Sequence, residues 1–223
     1  MKRAFLIVIL MLVFVAVLRV GGGGQPARAG VQTLDRPVPV SASTGKVEVI
    51  EFFHFGCRHC RTLEPALAAW RVRQGSQIIF RRVPVVPAPQ LIGHAKLFHA
   101  LVALREEVLI PAVFDEIHTS GNHLLTREEQ VSFVAARGVD SARFVEALDS
   151  RSTLAALHAD RRLWEACGVK AVPMLVVQGK YSPEPGGDPA EIVKTLDRLV
   201  DQSRRDDTRD IPVSVAQPPH TSG

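Results

Sequence analysis

The sequence predicts an α/β protein in which an all-helical domain is inserted between two β-containing halves. Three observations carry this reading. An apolar, aromatic, β-prone run from Val47 to Phe55 leads into an amphipathic helical pattern after Cys57. From about Leu91 to Cys167 the apolar spacing is helical throughout. Short strand signals return at Leu175–Val177 and Tyr181, before a last helical stretch. With 223 residues and 46% hydrophobic composition, the chain can bury an ordinary core.

Residues 1–29 read as an export signal. Lys2-Arg3 precedes an apolar run from Ala4 to Leu18, followed by Gly21–Gly24, Pro26 and Ala27-Arg28-Ala29. A positive start, an apolar middle and an A-x-A site predict cleavage after Ala29. The apolar run is about fifteen residues, short of the ~20 that span a bilayer. Arg19 and the gap to Ala29 keep an uncleaved inner-membrane anchor as the alternative. The formal charge of +4 resides in this segment: setting aside Lys2, Arg3, Arg19 and Arg28 leaves 23 basic against 23 acidic residues. That balance gives no electrostatic case for nucleic acid. Three cysteines are too few for a disulfide scaffold.

Residues 30–45 contain Pro37 and Pro39 and read as an extended leading segment. The first β-containing half spans 46–90. Lys46–Phe53 is predicted as a strand buried on both faces. The helix after Cys57 places Cys60, Leu63, Leu67 and Trp70 on one face, with Arg58, Arg61, Glu64 and Arg71 elsewhere. Pro65 inside it predicts a kink. Gln74-Gly75 ends the helix, Gln77–Val83 reads as a second buried strand, and Pro84, Pro87 and Pro89 mark a stiff loop.

Within the helical insertion, 91–167, Leu97, Leu101, Leu104 and Val108 keep helical spacing. Thr126 with Glu129 makes a capping box, Gly138 closes that helix, and Asp140 caps the next. Ser152 or Thr153 starts another helix, carrying Leu154, Leu157 and Trp164 and ended by Gly168. The second half, 168–203, holds Leu175–Val177, a turn at Gly179-Lys180, Tyr181, and a helix capped at Asp188-Pro189. Residues 204–223 are charged, then rich in Pro, Ser and Thr, and are expected to be disordered.

The chemistry concentrates at Cys57-Arg58-His59-Cys60. A strand that ends in C-x-x-C and opens a helix suggests a thioredoxin-like redox site. Cys57 falls at the helix N-terminus, where free amide groups and the helix dipole favour a thiolate. Cys60 lies one turn further in, placed to form a disulfide with Cys57. His59 is a candidate donor or cation for the thiolate, and Arg58 adds a positive charge that solvent screens. Glu51 is charged within an apolar strand, so burial should raise its pKa; the alternatives are an acid at the strand edge or one paired with a nearby base. His54 is expected to have a rim role or none. Cys167 reads as a buried, inert thiol. His94, His99, His118, His123 and His158 form no ligand spacing and are expected to be solvated or capping.

These residues resemble a known family. C-x-H-C after Glu51-Phe52-Phe53, a helical insertion, and Gly168-Val169-x-x-Val172-Pro173 before a strand resemble the DsbA-type thiol:disulfide interchange proteins, the periplasmic dithiol oxidases. The resemblance covers roughly residues 46–201. It implies a thioredoxin fold with an inserted all-helical domain, and matches Pro65 to a kink proline common in thioredoxin folds. It also implies that Val172-Pro173 is a cis peptide beside the disulfide, where the backbone before the proline pairs with substrate. Glu51 would shuttle a proton to and from Cys60. The partners implied are reduced, unfolded exported proteins and a quinone-linked membrane reoxidant of the DsbB type. No cofactor beyond the redox-active disulfide is implied, and a monomer is expected. Phe53, Phe55 and Val172 are assigned to an apolar rim for unfolded chains. The family usually has proline where this chain has Arg58, so the family's redox potential does not transfer directly.

Two other functions fit parts of the pattern. His54, Cys57, His59 and Cys60 are four copper- or zinc-type ligands within seven residues, although Cys57 and Cys60 point away from His59 at helical spacing. A reductase or isomerase on the same fold would use the same cysteines. Haem attachment is excluded by its usual signature, because Arg61 rather than histidine follows Cys60.

Overall fold

The computed structural model describes residues 30–41 and 45–209; the predicted export signal and residues 210–223 lie outside that range. A mixed sheet runs in the order β1-β5-β4-β2-β3, with β1 Val31–Thr33, β2 Val47–Phe53, β3 Ile78–Pro84, β4 Met174–Val177 and β5 Tyr181–Pro183. The helices are α1 Arg58–Gln74, α2 Ile92–Leu104, α3 Ile110–Thr119, α4 Arg127–Ala135, α5 Ser141–Leu148, α6 Arg151–Ala166 and α7 Pro189–Arg209. This is the predicted thioredoxin-like arrangement, with a helical subdomain between β3 and β4.

Every residue of β2 is buried, because neighbours pair with both its edges and helices cover both its faces. The two-residue period of a strand divides its side chains. Val47 and Val49 pack with Leu63, Leu67 and Trp70 of α1 and with Leu196 and Leu199 of α7. Ile50 and Phe52 pack with Trp164 and Cys167 at the end of α6. Phe53, at the end of the strand, enters a third core with Leu97, Leu101, Val113 and Phe114 of the helical subdomain. Cys57 and Cys60 lie at the edge of that third core, so the redox motif sits where sheet and helical subdomain meet.

The β4–β5 hairpin turns through Gln178 and Gly179, whose φ values are 50° and 63°. Two positive φ values suit the twist of a tight hairpin. Glycine is also required at 179 by space, since a Cβ there would fall 2.1 Å from the Val38 carbonyl oxygen. The Trp70 indole Nε1 donates to Asp197 Oδ1 at 2.7 Å and pins α1 to α7. Thr126 and Glu129 form the predicted capping box, and Asp140 caps α5.

Several expectations change. β3 is the outer strand of the sheet, so Arg81 is exposed and Ile79 and Phe80 are only half-buried. Helix α2 ends at Leu104 because Arg105 takes a left-handed φ of 62°. Val108 therefore leaves the helical face, falls in a 3-10 turn and is 77% exposed. Helix α6 begins at Arg151, capped by Ser150 rather than started by Ser152 or Thr153; Ser150 Oγ accepts from the Thr153 amide at 3.1 Å. The disorder predicted from 204 does not begin there, since α7 continues to Arg209. Val200 and Ser203 anchor its inner face, and each further residue adds a backbone hydrogen bond to an existing helix. Among the described residues, no helix is long and apolar enough to cross a membrane.

Candidate active site

The chain leaves β2 at Phe53 and tightens at once, with the Cys57 amide donating to the His54 carbonyl at 3.0 Å. Cys57 is the N-cap of α1, with φ −85° and ψ 115°. Its sulfur takes the place of a capping oxygen and accepts from the Cys60 amide at 3.3 Å. The Cys57 thiol donates to the Val172 carbonyl oxygen, also at 3.3 Å. The Val172-Pro173 peptide is cis, so the second motif meets the first as the resemblance implied. Cys57, Cys60 and Cys167 are free thiols.

The two active-site sulfurs are unequal. Cys57 is 8% exposed and Cys60 0%, so of the pair Cys57 alone has surface open to solvent. The Cys57 thiol is pulled down to about 6, chiefly by the hydrogen bond from the Cys60 thiol, against the cost of burial. The amides of Cys60 and His59 and the charge of His59 add to the pull. Cys60 is pushed up by its bond to Cys57, by burial, and by the charges of Cys57 and Glu51. The arrangement supplies a nucleophile on the outside and a proton-holding partner behind it.

Glu51 is fully buried and is neither at a strand edge nor alone. Arg82 stands opposite it in the parallel β2–β3 register and donates from Nε to Glu51 Oε2 at 2.7 Å. The other arm of Arg82 pairs with Glu64. Glu64 was expected off the buried face of α1; it is 5% exposed because the guanidinium it serves is itself enclosed. Burial raises the Glu51 pKa, and Arg82 opposes the rise. Glu51 Oε1 is buried and, among the described residues, has no hydrogen-bond partner. Arg82 and Glu64 were missed in the sequence. The available signal was a basic residue inside an apolar strand, the same anomaly that singled out Glu51.

Arg58 and His59 are exposed on the first turn of α1, and Val172 and Pro173 are half-buried. Phe55 does not line a rim. It is 1% exposed and packs edge-on against Phe53 and Phe114, with centroids 5.2 and 5.1 Å apart. Phe53 is likewise fully buried. Two aromatic rings ending a buried strand fill the nearest core rather than face water.

His123 and His158 are exposed as expected, whereas His94, His99 and His118 are buried or half-buried. His118 Nε2 donates to the Phe55 carbonyl at 2.8 Å, and the buried His94 Nε2 donates to the His123 carbonyl at 2.8 Å. His54 is half-buried beside Gly56 and is held neutral by burial and by the neighbouring His94 and His118. Cys167 is buried, and burial pushes its thiol up to about 11. Among the described residues, no three His, Cys, Asp or Glu side chains are grouped to hold a metal ion.

A thioredoxin family profile matches residues 40–199. The chain is 40% identical over 187 residues to the thiol:disulfide interchange protein DsbA of Burkholderia cepacia, covering 83% of this chain and 88% of that protein. It is 36% identical over 182 residues to the DsbA of Azotobacter vinelandii, covering 79% and 85%. Among solved structures, Pseudomonas aeruginosa DsbA superposes with a TM-score of 0.76 at 32% identity, covering 84% of this chain and 98% of that one.

Proposed function

The chain belongs to the DsbA family of thiol:disulfide interchange proteins, and on that premise we propose that it donates its Cys57–Cys60 disulfide to reduced, newly exported proteins in the periplasm. It is a thiol:disulfide oxidoreductase with this cysteine pair at its redox centre. In the oxidised enzyme a substrate thiolate attacks Cys57 Sγ. The Cys57–Cys60 bond breaks, a mixed disulfide forms at Cys57, and Cys60 leaves with the electron pair and takes up a proton. A second substrate thiolate then attacks the substrate sulfur. Cys57 departs as a thiolate, the substrate gains its disulfide, and the enzyme holds two more electrons.

The observation that carries this reading is the seat of Cys57. A leaving group stabilised by the Cys60 thiol and by helix amides makes the oxidised enzyme the stronger oxidant. We assign the remaining roles on the same basis. Glu51 moves a proton to and from Cys60, supported by its free carboxylate oxygen and its electrostatic pull on that thiol. His59 stabilises the Cys57 thiolate. The Val172 carbonyl before Pro173, already a hydrogen-bond acceptor for Cys57, pairs with substrate backbone, and Arg58 borders the same approach. A quinone-linked membrane protein of the DsbB type removes the two electrons. The test is the equilibrium of the Cys57/Cys60 pair with glutathione. A position far toward the dithiol supports the oxidase; one resembling thioredoxin makes the enzyme a reductase.

A further inference from the structure

A cavity of about 650 Å³ lies between α1, β3 and the helical subdomain, and neither active-site cysteine lines it. Glu64, Ala68 and Arg71 face it from successive turns of α1. Phe80 and Arg82 close it from β3, and Phe98 and Val102 from α2. Val108 and Pro111 continue the apolar wall beyond α2. The volume falls within the range typical of small-molecule sites.

The charges around this cavity are largely spent on one another. Arg82 is committed to Glu51 and Glu64. Arg81 reaches Glu48 at 3.9 Å, and Asp160 holds His99 at 2.6 Å. Arg71 is the exception among the cavity's arginines. Its guanidinium lies over the Phe80 ring, 4.3 Å from the centroid, and among the described residues it makes no hydrogen bond or ion pair. It is half-buried; burial and the neighbouring Arg82 disfavour its charge, while Glu64, Glu51 and Glu107 favour it without a hydrogen bond to it. A planar fork of donors thus rests on an aromatic face with nothing to donate to.

We infer that this cavity binds a small apolar monocarboxylate, an aryl or alkyl chain of a few carbons, with its carboxylate on Arg71 and its body along Phe80, Phe98, Val102 and Val108. A carboxylate matches the guanidinium fork in shape and charge. Val102 and Val108 are 38% and 77% exposed, apolar surface that a bound chain would remove from water. Glu64 is already paired with Arg82, but Glu107 also lines the cavity, and its repulsion doubles from a single negative charge to a dianion such as a phosphate monoester. The inference is independent of the proposed oxidase activity, and its test does not use that activity.

The experiment is a calorimetric titration of the full-length protein with 4-phenylbutyrate and, separately, with the uncharged 4-phenylbutan-1-ol, with amide NMR shifts locating the bound probe. The expected dissociation constant for the acid is on the order of a millimolar, as for ligands of this size. The alcohol should bind about tenfold more weakly. Arg71→Gln should abolish the preference for the acid, and Arg71→Lys should restore part of it. Val108→Glu, at a position too exposed to disturb the core, should weaken the acid more than the alcohol. The inference is overturned by equal affinities for acid and alcohol, by an undiminished acid preference in Arg71→Gln, by shifts away from Phe80 and Val102, or by no saturable binding at roughly ten times the expected concentration.

Discussion

Glu51 and Arg82 stand directly opposite each other in the β2–β3 pair, joined by a 2.7 Å hydrogen bond from the guanidinium Nε to the carboxylate. The Glu51 side chain is 0% exposed and that of Arg82 6%. Two buried carboxylates, Glu51 and Glu64, share this one cation, next to the sulfur that closes the redox disulfide. Stability and thiol chemistry therefore meet in the same side chains.

Removing the cation should be costly. Arg82→Met leaves two buried acids without a counter-charge, and a loss of ~3–5 kcal/mol is expected at neutral pH. The sign with pH follows from linkage. In the variant Glu51, already raised by burial, loses the cation that opposes the rise, so stability should be greatest below the unfolded carboxylate pKa and fall as pH rises through its folded one. Urea denaturation at several pH values measures this; a variant as stable as the parent at pH 8 refutes the buried-pair account.

Glu51→Gln keeps the volume and removes the proton acceptor. Steps in which Cys60 gains or loses a proton should slow by roughly a hundredfold, the low end of general acid–base contributions. Alkylation of Cys57, which needs no proton transfer to Cys60, should change far less. Stopped-flow measurement of both reactions separates the outcomes, and equal slowing of the two would point to a structural defect instead.

Cys57 should titrate near 6 rather than near its ordinary 9.0, visible as thiolate absorbance in the reduced enzyme that is absent in Cys57→Ser. A depressed folded pKa stabilises the reduced protein fully above the unfolded thiol pKa, and this stabilisation is lost as pH falls through about 6. His59→Ala should raise the Cys57 value, because a charge and none of the amides is lost. A thiolate signal appearing only near pH 9 would remove the basis for the oxidase.

Reactivity toward iodoacetamide should follow the environments of the three thiols. At pH 7 the native reduced protein should be labelled at Cys57 first, while Cys167, 6% exposed and raised to about 11, should react only after unfolding. Peptide mass spectrometry reads the order directly, and prompt native labelling of Cys167 would contradict its enclosure between β2, β4 and α6.

The α1–α7 tie is a test remote from the chemistry. Asp197→Ala leaves the buried Trp70 indole and the Gln74 amide without their shared acceptor. A loss of about 1–3 kcal/mol is expected, with the Cys57 titration unchanged. A shifted Cys57 titration would mean that α7 positions the active-site helix.

Much of this was determined along the chain. Apolar periodicity located β2, α1 and the helical segment, because strand and helix periods are local properties. Capping residues set helix starts for the same reason, as at Thr126 and Asp140. The cysteine pair was legible because a strand, two sulfurs three residues apart and a helix are contiguous, and Glu51 stood out as a charge in an apolar run. Tertiary structure alone decided what those residues touch. Arg82 lies 31 positions from Glu51 and meets it only through strand register, which periodicity does not fix. Glu64 looked like a solvent-facing helix residue until that guanidinium was brought over it. Phe55 looked like part of a binding rim, but the helical subdomain closes over it, since burying an aromatic ring gains more than leaving it in water. Sequence supplies the reactive groups; their acidity, partners and access come from contacts between segments far apart in the chain.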